Sequence, residues 1–262
     1  MINSTSNKQI KNLSLLMKKA KARREQRVFV VEGMKMYREV PRDRLVMTYV
    51  SESFYEKAEN KELLKGIPLE VVADRVFDSV ADTQTPQGIL CLVKQQEYTL
   101  DEMLAKKPAL LLVLENLQDP GNLGTIFRTA EGAGVSGIIM SSDTVDIYNP
   151  KTIRSTMGSL YRMPFLYTKD LSGVLKTLRE HEICSYAAHL QGSKEYCRQD
   201  YTKGSAFLIG NEGNGLSKEL SDQADAYIKI SMCGELESLN AAVAAAILMF
   251  EAKRQRGQND KS

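Results

Sequence analysis

The sequence predicts two α/β domains in tandem, the second built on a parallel sheet. Three observations predict this. At 262 residues the chain is longer than most single α/β domains and comfortable for two. Short apolar runs of strand length alternate with stretches of helical spacing along its whole length. A polar stretch, residues 95–108, separates two such alternations.

The first domain, residues 1–94, opens with Ile10, Leu13, Leu16 and Met17 at helical spacing between lysines, predicting a helix within residues 3–20. Lys18 to Arg27 reads as a dense charged turn. Val28–Val31 then reads as a short buried strand, and Met34–Glu39 as a helix start after Gly33. Leu45–Val50, Leu69–Val72 and Gly88–Val93 are further strands, with helical stretches at Phe54–Leu64 and Arg75–Val80.

Residues 95–108 read as a linker holding one short amphipathic helix and closing on Pro108. The second domain, residues 109–262, begins with Ala109–Leu114, an uninterrupted apolar run of the kind a strand buried on both faces requires. Gly137–Met140, Ile183–Ala188, Ala206–Ile209 and Ala226–Ile230 follow as strands. Helices are predicted at Leu123–Gly132, Leu171–His181 and Asn240–Arg254.

Composition narrows the function classes. A hydrophobic share of 43% and a charged share of 26% are ordinary for a globular protein. No apolar run reaches the roughly 18 residues that span a bilayer. The opening residues, MINSTSNKQIKNLSLL, lack a signal-peptide pattern, so a cytoplasmic location and no membrane partner are expected. Cys91, Cys184, Cys197 and Cys233 form no CxxC pair, and His181 and His189 are the only histidines, so no metal site is expected. Charge is uneven: residues 1–50 hold twelve Lys or Arg against four acids, a net +8 in a chain of net +2. Such a block suits a polyanion, with Lys18, Lys19, Arg23 and Arg24 as candidate RNA contacts; a solvated basic helix would read the same way.

Three polar loops of the second domain carry the candidate chemistry, because ligands of parallel sheets bind beyond the carboxyl ends of the strands. The first is Glu115–Ala130, where Pro120-Gly121 turns the chain, Asn122 is a candidate N-cap, and Arg128 follows among apolar residues. A guanidinium there requires an anion, either a ligand or a carboxylate of the protein. The second is Leu208–Ser217, with Gly210, Gly213 and Gly215 and a Glu212 that a purely structural loop would not require. It is neither a Walker loop nor GxGxxG. The third is Ile230–Asn240, leading into the apolar AAVAAAILMF helix, which is expected to be buried; Ser238 and Asn240 are N-cap types.

Taken together and in this order, the three loops resemble the signature motifs of the SpoU (TrmH-like) family of the SPOUT methyltransferase superfamily. Asn149-Pro150-Lys151 and Arg154–Ser159 also resemble a family segment, and Phe29–Gly33 and Thr85–Ile89 resemble its N-terminal substrate-binding domain, which is L30e-like. The resemblance implies a parallel sheet with a deep trefoil knot, S-adenosylmethionine as cofactor and a homodimer. It implies cofactor contacts at Gly210, Ile230 and Leu239, and a catalytic surface of Asn122, Arg128, Glu212, Ser238 and Asn240. A bulky residue at Gly210 is expected to abolish cofactor binding and leave the fold intact. The family's third motif often carries proline where this chain has Ser231, which is expected to loosen that loop.

The implied reaction is methyl transfer to a ribose 2′-hydroxyl, with large-subunit (23S) ribosomal RNA as the expected substrate because of the appended N-terminal domain. Arginine's pKa above about 12 makes a poor general base, so Arg128 is assigned to phosphate clamping and electrostatic stabilisation. Glu212 is expected to orient Arg128 or the ribose. The rivals are a transfer-RNA 2′-O-methyltransferase, a base methyltransferase, an inactive RNA-binding protein and a nucleotide-binding module; the last lacks a phosphate-loop lysine.

Overall fold

The computed structural model describes residues 1–189, 194–233 and 238–259. It divides into two compact units, Met1–Gln96 with Asp146–Tyr161, and Glu97–Val145 with Arg162–Ser262.

In the first unit, strands β1 (Val28–Glu32), β2 (Leu45–Ser51), β3 (Leu69–Val72) and β4 (Ile89–Lys94) form one sheet in the order β1-β4-β2-β3. β4 pairs antiparallel with β1 and β2, and β2 pairs parallel with β3. The predicted N-terminal helix breaks at Lys19 into Lys8–Lys18 and Ala20–Gln26, so the expected charged turn is instead a second helix. Asn7 caps the first of the two, and Arg27 ends the second in a left-handed conformation. Reciprocal side-chain hydrogen bonds between Asn12 and Gln26 join them. Ile10, Leu13 and Leu16 enter the core with Val30, Val72, Phe77 and Leu90.

Residues Asp146–Tyr161 complete this unit, although in sequence they lie within residues 109–262. They include the helix Pro150–Thr156, whose signal was its Asn149 cap and Pro150 in the first turn. The fully buried Phe29 ring lies 4.5 Å from Tyr148 and 6.5 Å from Tyr161, and the Tyr161 hydroxyl donates to Met36 O. Aromatic side chains of this size dominate core energetics, which is why the segment packs here.

Among the described residues the second unit holds seven strands: β5 (Leu110–Leu114), β6 (Gly137–Ser141), β7 (Phe165–Thr168), β8 (Cys184–Ala188), β9 (Lys194–Glu195), β10 (Ser205–Ile209) and β11 (Ala226–Lys229). Their order is β7-β6-β5-β10-β8-β11-β9, and every pairing is parallel. β7 and β9 lie at the edges and were absent from the sequence reading; four and two residues are too few to show a period. The short helix Leu100–Leu104 of the expected linker has a Thr99/Glu102 capping box, and Met103 and Leu104 are buried in the core of this unit.

The apolar helix Ala241–Asn259 was expected to be buried. One face is: Ala242, Ala245, Leu248, Met249 and Ala252 are inaccessible. The opposite face leaves Val243 47% and Phe250 46% exposed. This helix runs alongside Pro120–Ala133 with the same direction, since Asn240 meets Asn122 at one end and Lys253 donates to Gly132 O at the other.

Candidate active site

The neighbouring strands β5 and β10 are buried along their whole length, and each runs out into a polar loop at its carboxyl end. After β5, Asp119 rather than Asn122 caps the helix Pro120–Ala133. Its carboxylate accepts from Asn122 N–H at 2.7 Å, with Pro120 in the first turn. An Asp-Pro pair is a stronger start signal than a later Asn, because proline's fixed φ suits the first helical position. Asn122 is thereby released from capping, and its amide points outward. Its Nδ2 donates to Glu212 Oε1 at 3.1 Å, and its Oδ1 accepts from Asn240 Nδ2 at 2.9 Å.

After β10, the chain folds back on itself between Asn211 and Gly215, which exchange two backbone hydrogen bonds. Asn211 Oδ1 accepts from Gly213 and Asn214 N–H, closing the turn. A Cβ on Gly210 would lie 2.1 Å from Gly215 C and Leu216 N, so any side chain there forces the loop open. The expectation that a bulky residue at Gly210 leaves the local fold intact is therefore corrected.

Glu212 accepts from the N–H groups of Gln118 and Asp119, both at 3.0 Å, as well as from Asn122. Burial would raise its pKa, but the donors Gln118, Asn122 and Asp119 outweigh it and hold the carboxyl below the usual range. It is a fixed anion at the start of a helix, where the helix dipole favours negative charge. Arg128 is not among its partners, which removes the expected Glu212–Arg128 orientation.

In the third loop, Asn240 caps its helix, its Oδ1 accepting from Ala242 N–H at 2.9 Å and Val243 N–H at 3.3 Å. Residues 234–237 of this motif lie outside the described residues. Ser231 is not loose: its hydroxyl donates to Glu195, which also pairs with Lys229 at 3.7 Å. A side-chain tether thus stands where the resemblance expects proline.

The second and third loops, with the end of β8, enclose a cleft of about 330 Å³. Gly210, Ile230 and Leu239 all line it, as do Glu212 and Ser238. Asn122 joins the cleft wall through Glu212, and Asn240 through Asn122. Arg128 stands apart. It is exposed on the outer stripe of its helix with Thr125 and Gly132, and it forms no hydrogen bond or ion pair with any described residue. The internal carboxylate that the sequence left open for it is not found among those residues. Gln118, Asp119 and Asn211 were missed as site residues because their contribution is geometric and depends on loops some ninety residues apart in sequence.

In the first unit, Lys18, Lys19 and Arg24 are exposed. Arg23 is corrected as an RNA contact: it is 3% exposed. Its guanidinium donates to Asp146 Oδ2 at 2.6 and 2.9 Å and to the carbonyls of Leu16 and Met17.

A parallel α/β unit with a loop-built cleft, in one chain with a unit bearing exposed cations, suits an S-adenosylmethionine-dependent RNA methyltransferase, and comparison with known proteins gives the same class. The model of the SpoU rRNA methylase family matches residues 109–250, and that of the MRM3-like substrate-binding domain matches residues 7–91. The chain belongs to the SpoU rRNA methylase family.

It is 31% identical over 255 residues to the 23S rRNA (guanosine(2553)-2′-O)-methyltransferase RlmP of Bacillus subtilis, covering 96% of this chain and 98% of that one. The SpoU methyltransferase AviRb of Streptomyces viridochromogenes, crystallised with the cofactor AdoMet, superposes with a TM-score of 0.86 at 25% identity, over 95% of this chain and 98% of that one. An rRNA methyltransferase of Sinorhizobium meliloti gives 0.84 at 31% identity, over 97% and 96%.

The residues present fit S-adenosylmethionine. The cleft has the volume of a small-ligand pocket. Ile209, Leu216, Ile228 and Leu239 offer apolar walls, loop 210–215 presents backbone polar groups, and Glu212 supplies an anion for a cationic ligand. No helix among the described residues is long and apolar enough to cross a membrane.

Proposed function

We propose that this protein transfers a methyl group from S-adenosylmethionine to a ribose 2′-hydroxyl of large-subunit ribosomal RNA. The observation that carries the reading is the likeness, along nearly the whole of both chains, to the Bacillus subtilis protein named as a 23S rRNA 2′-O-methyltransferase. Bound in the cleft, the cofactor supplies a methyl group already activated on a sulfonium.

The protein's residues have three tasks. Gly210, Ile230 and Leu239 hold the cofactor, largely through backbone groups and apolar contact. Asn122, Glu212 and Asn240 form one chain of hydrogen bonds that fixes the starts of two helices, with Ser238 on the cleft beside them as a hydroxyl able to reach the ribose. Arg128 holds a phosphate of the substrate and stabilises charge on the oxygen as its proton leaves. Its open position is what an arginine awaiting an external anion requires.

Lys18, Lys19 and Arg24 add RNA affinity through phosphate contacts. Two copies of the chain associate through the exposed face of Ala241–Asn259, where Val243, Ile247 and Phe250 share one side. Light scattering should give twice the 29.3 kDa of one chain. The test of substrate is to map 2′-O-methyl groups in a strain lacking the gene. Loss of a single site in 23S rRNA is expected; an intact 23S pattern with a missing transfer-RNA site would replace ribosomal by transfer RNA.

A further inference from the structure

Loop 210–216 is a wall with two sides. One side faces the cofactor cleft, and the other faces a second, more polar cleft of about 470 Å³ lined by Glu115, Asn116, Asn214 and Ser217 among others. The loop is thin, carries three glycines and makes its turn with two mutual backbone hydrogen bonds. Whatever holds it in place from behind therefore sets the shape of the cofactor side.

The holding contacts converge on the residues that follow β5. Glu115 is half-buried, and both of its carboxylate oxygens are engaged by one residue. Oε2 accepts from Ser217 N–H and Oε1 from Ser217 Oγ, each at 2.6 Å. Such bidentate, charge-assisted bonds are shorter and roughly twice as strong as neutral ones. Ser217 also caps the helix Lys218–Ser221, its Oγ accepting from Leu220 N–H, so the staple fixes the loop's exit. At the loop's entrance, Asn211 Nδ2 donates to Asn116 O at 2.8 Å. The entrance and the exit are thus both fastened to the same dipeptide, Glu115-Asn116. Asn116 is itself held by its N–H donating to Ser141 Oγ at the end of β6.

Neither Glu115 nor Ser217 lines the cofactor cleft. We propose that Glu115 is a positioning residue for the cofactor, acting from behind the loop through Ser217. This rests on the reading of the first cleft as the S-adenosylmethionine site. Without the staple, the loop samples positions in which its N–H and C=O groups miss the ligand, so affinity falls, while Asn122, Asn240 and Arg128, which lie outside the loop, keep their places.

The test uses the full-length protein and S-adenosylmethionine itself, by titration calorimetry and steady-state kinetics. Glu115→Ala should raise Kd and the KM for S-adenosylmethionine about tenfold, the equivalent of about 1.4 kcal/mol of loop ordering. The kcat at saturating cofactor should stay within about twofold, since no transition-state contact is removed. Glu115→Gln should restore affinity, because its carbonyl accepts from Ser217 N–H and its amide donates to Ser217 Oγ. A folded Glu115→Ala protein with wild-type Kd would overturn the proposal even if its melting temperature fell. Should that variant not fold, Ser217→Ala keeps the N–H arm, removes the hydroxyl arm together with the cap on Leu220 N–H, and should still raise Kd about threefold; no change there would equally overturn it. Failure of the wild-type protein to bind S-adenosylmethionine would instead remove the cofactor reading, so the two failures are distinguishable.

Discussion

Arg23, in the N-terminal helical hairpin, and Arg128, on the helix Pro120–Ala133, share a charge and a helical setting, and the sequence assigned both to RNA. Their surroundings differ completely. Arg23 is buried, with Asp146 and two backbone carbonyls around its guanidinium. Arg128 is exposed and has no partner among the described residues. A buried guanidinium has to be paired and hydrogen-bonded, so it is committed to the fold; an exposed one without a partner is available to an outside anion. The contrast extends to their regions. The hairpin displays cations around one locked arginine, whereas the second unit's carboxylates Glu115 and Glu212 are all engaged in fastening loops.

The sharpest break of this comparison is at Arg128. Arg128→Ala should lower turnover about a hundredfold or more, the scale of a lost transition-state donor, with S-adenosylmethionine affinity unchanged. Arg128→Lys keeps the charge but not the planar fork and should recover little. A near wild-type rate for Arg128→Ala would return it to the solvated surface.

Arg23→Ala should show the opposite profile. Removing one partner of a buried pair leaves Asp146 uncompensated and should lower stability by about 3 kcal/mol in urea unfolding, the low end of the range because Asp146 is partly exposed. Turnover of the fraction that remains folded should be close to wild type. A rate loss without a stability loss would make Arg23 an RNA contact after all.

Replacing Lys18, Lys19 and Arg24 together by Ala should flatten the dependence of log affinity on log salt by about 2, at ~0.7–0.9 per phosphate contact. An unchanged slope would mean that these cations are only solvated.

The smallest effect concerns Glu212. Its pKa is lowered in the folded protein, so its contribution to stability is present above the unfolded carboxylate value and is lost as pH falls through the folded value. The stability difference between wild type and Glu212→Gln should be constant above about pH 5 and shrink below about 4.5. A difference that grew on acidification would reverse the assigned direction.

The patterns that were legible in the sequence are those that repeat locally. The apolar run Ala109–Leu114 marked a strand buried on both faces, found at Leu110–Leu114, and Ile10, Leu13, Leu16 and Met17 marked a helix face, of which the first three are buried. Gly210, Ile230 and Leu239 were assigned to one pocket through the order of three motifs, and they do line one cleft. The hidden features were edge strands too short to show a period, and caps misassigned by three residues. Asn122 and Asp119 are both good capping types, and only the backbone tells which one is used.

By itself, then, the sequence determined the α/β class, the parallel second sheet and which loops meet at its carboxyl ends, because period and residue type act over a few neighbouring positions. The tertiary structure alone decided that Asp146–Tyr161 completes the first unit, that Arg23 is locked while Arg128 is open, and that Glu115 fastens Ser217 at the exit of loop 210–216. These depend on which distant residue stands within about 3 Å of a charge. Hydrogen bonds and ion pairs fall off over that distance, and sequence spacing carries no record of it.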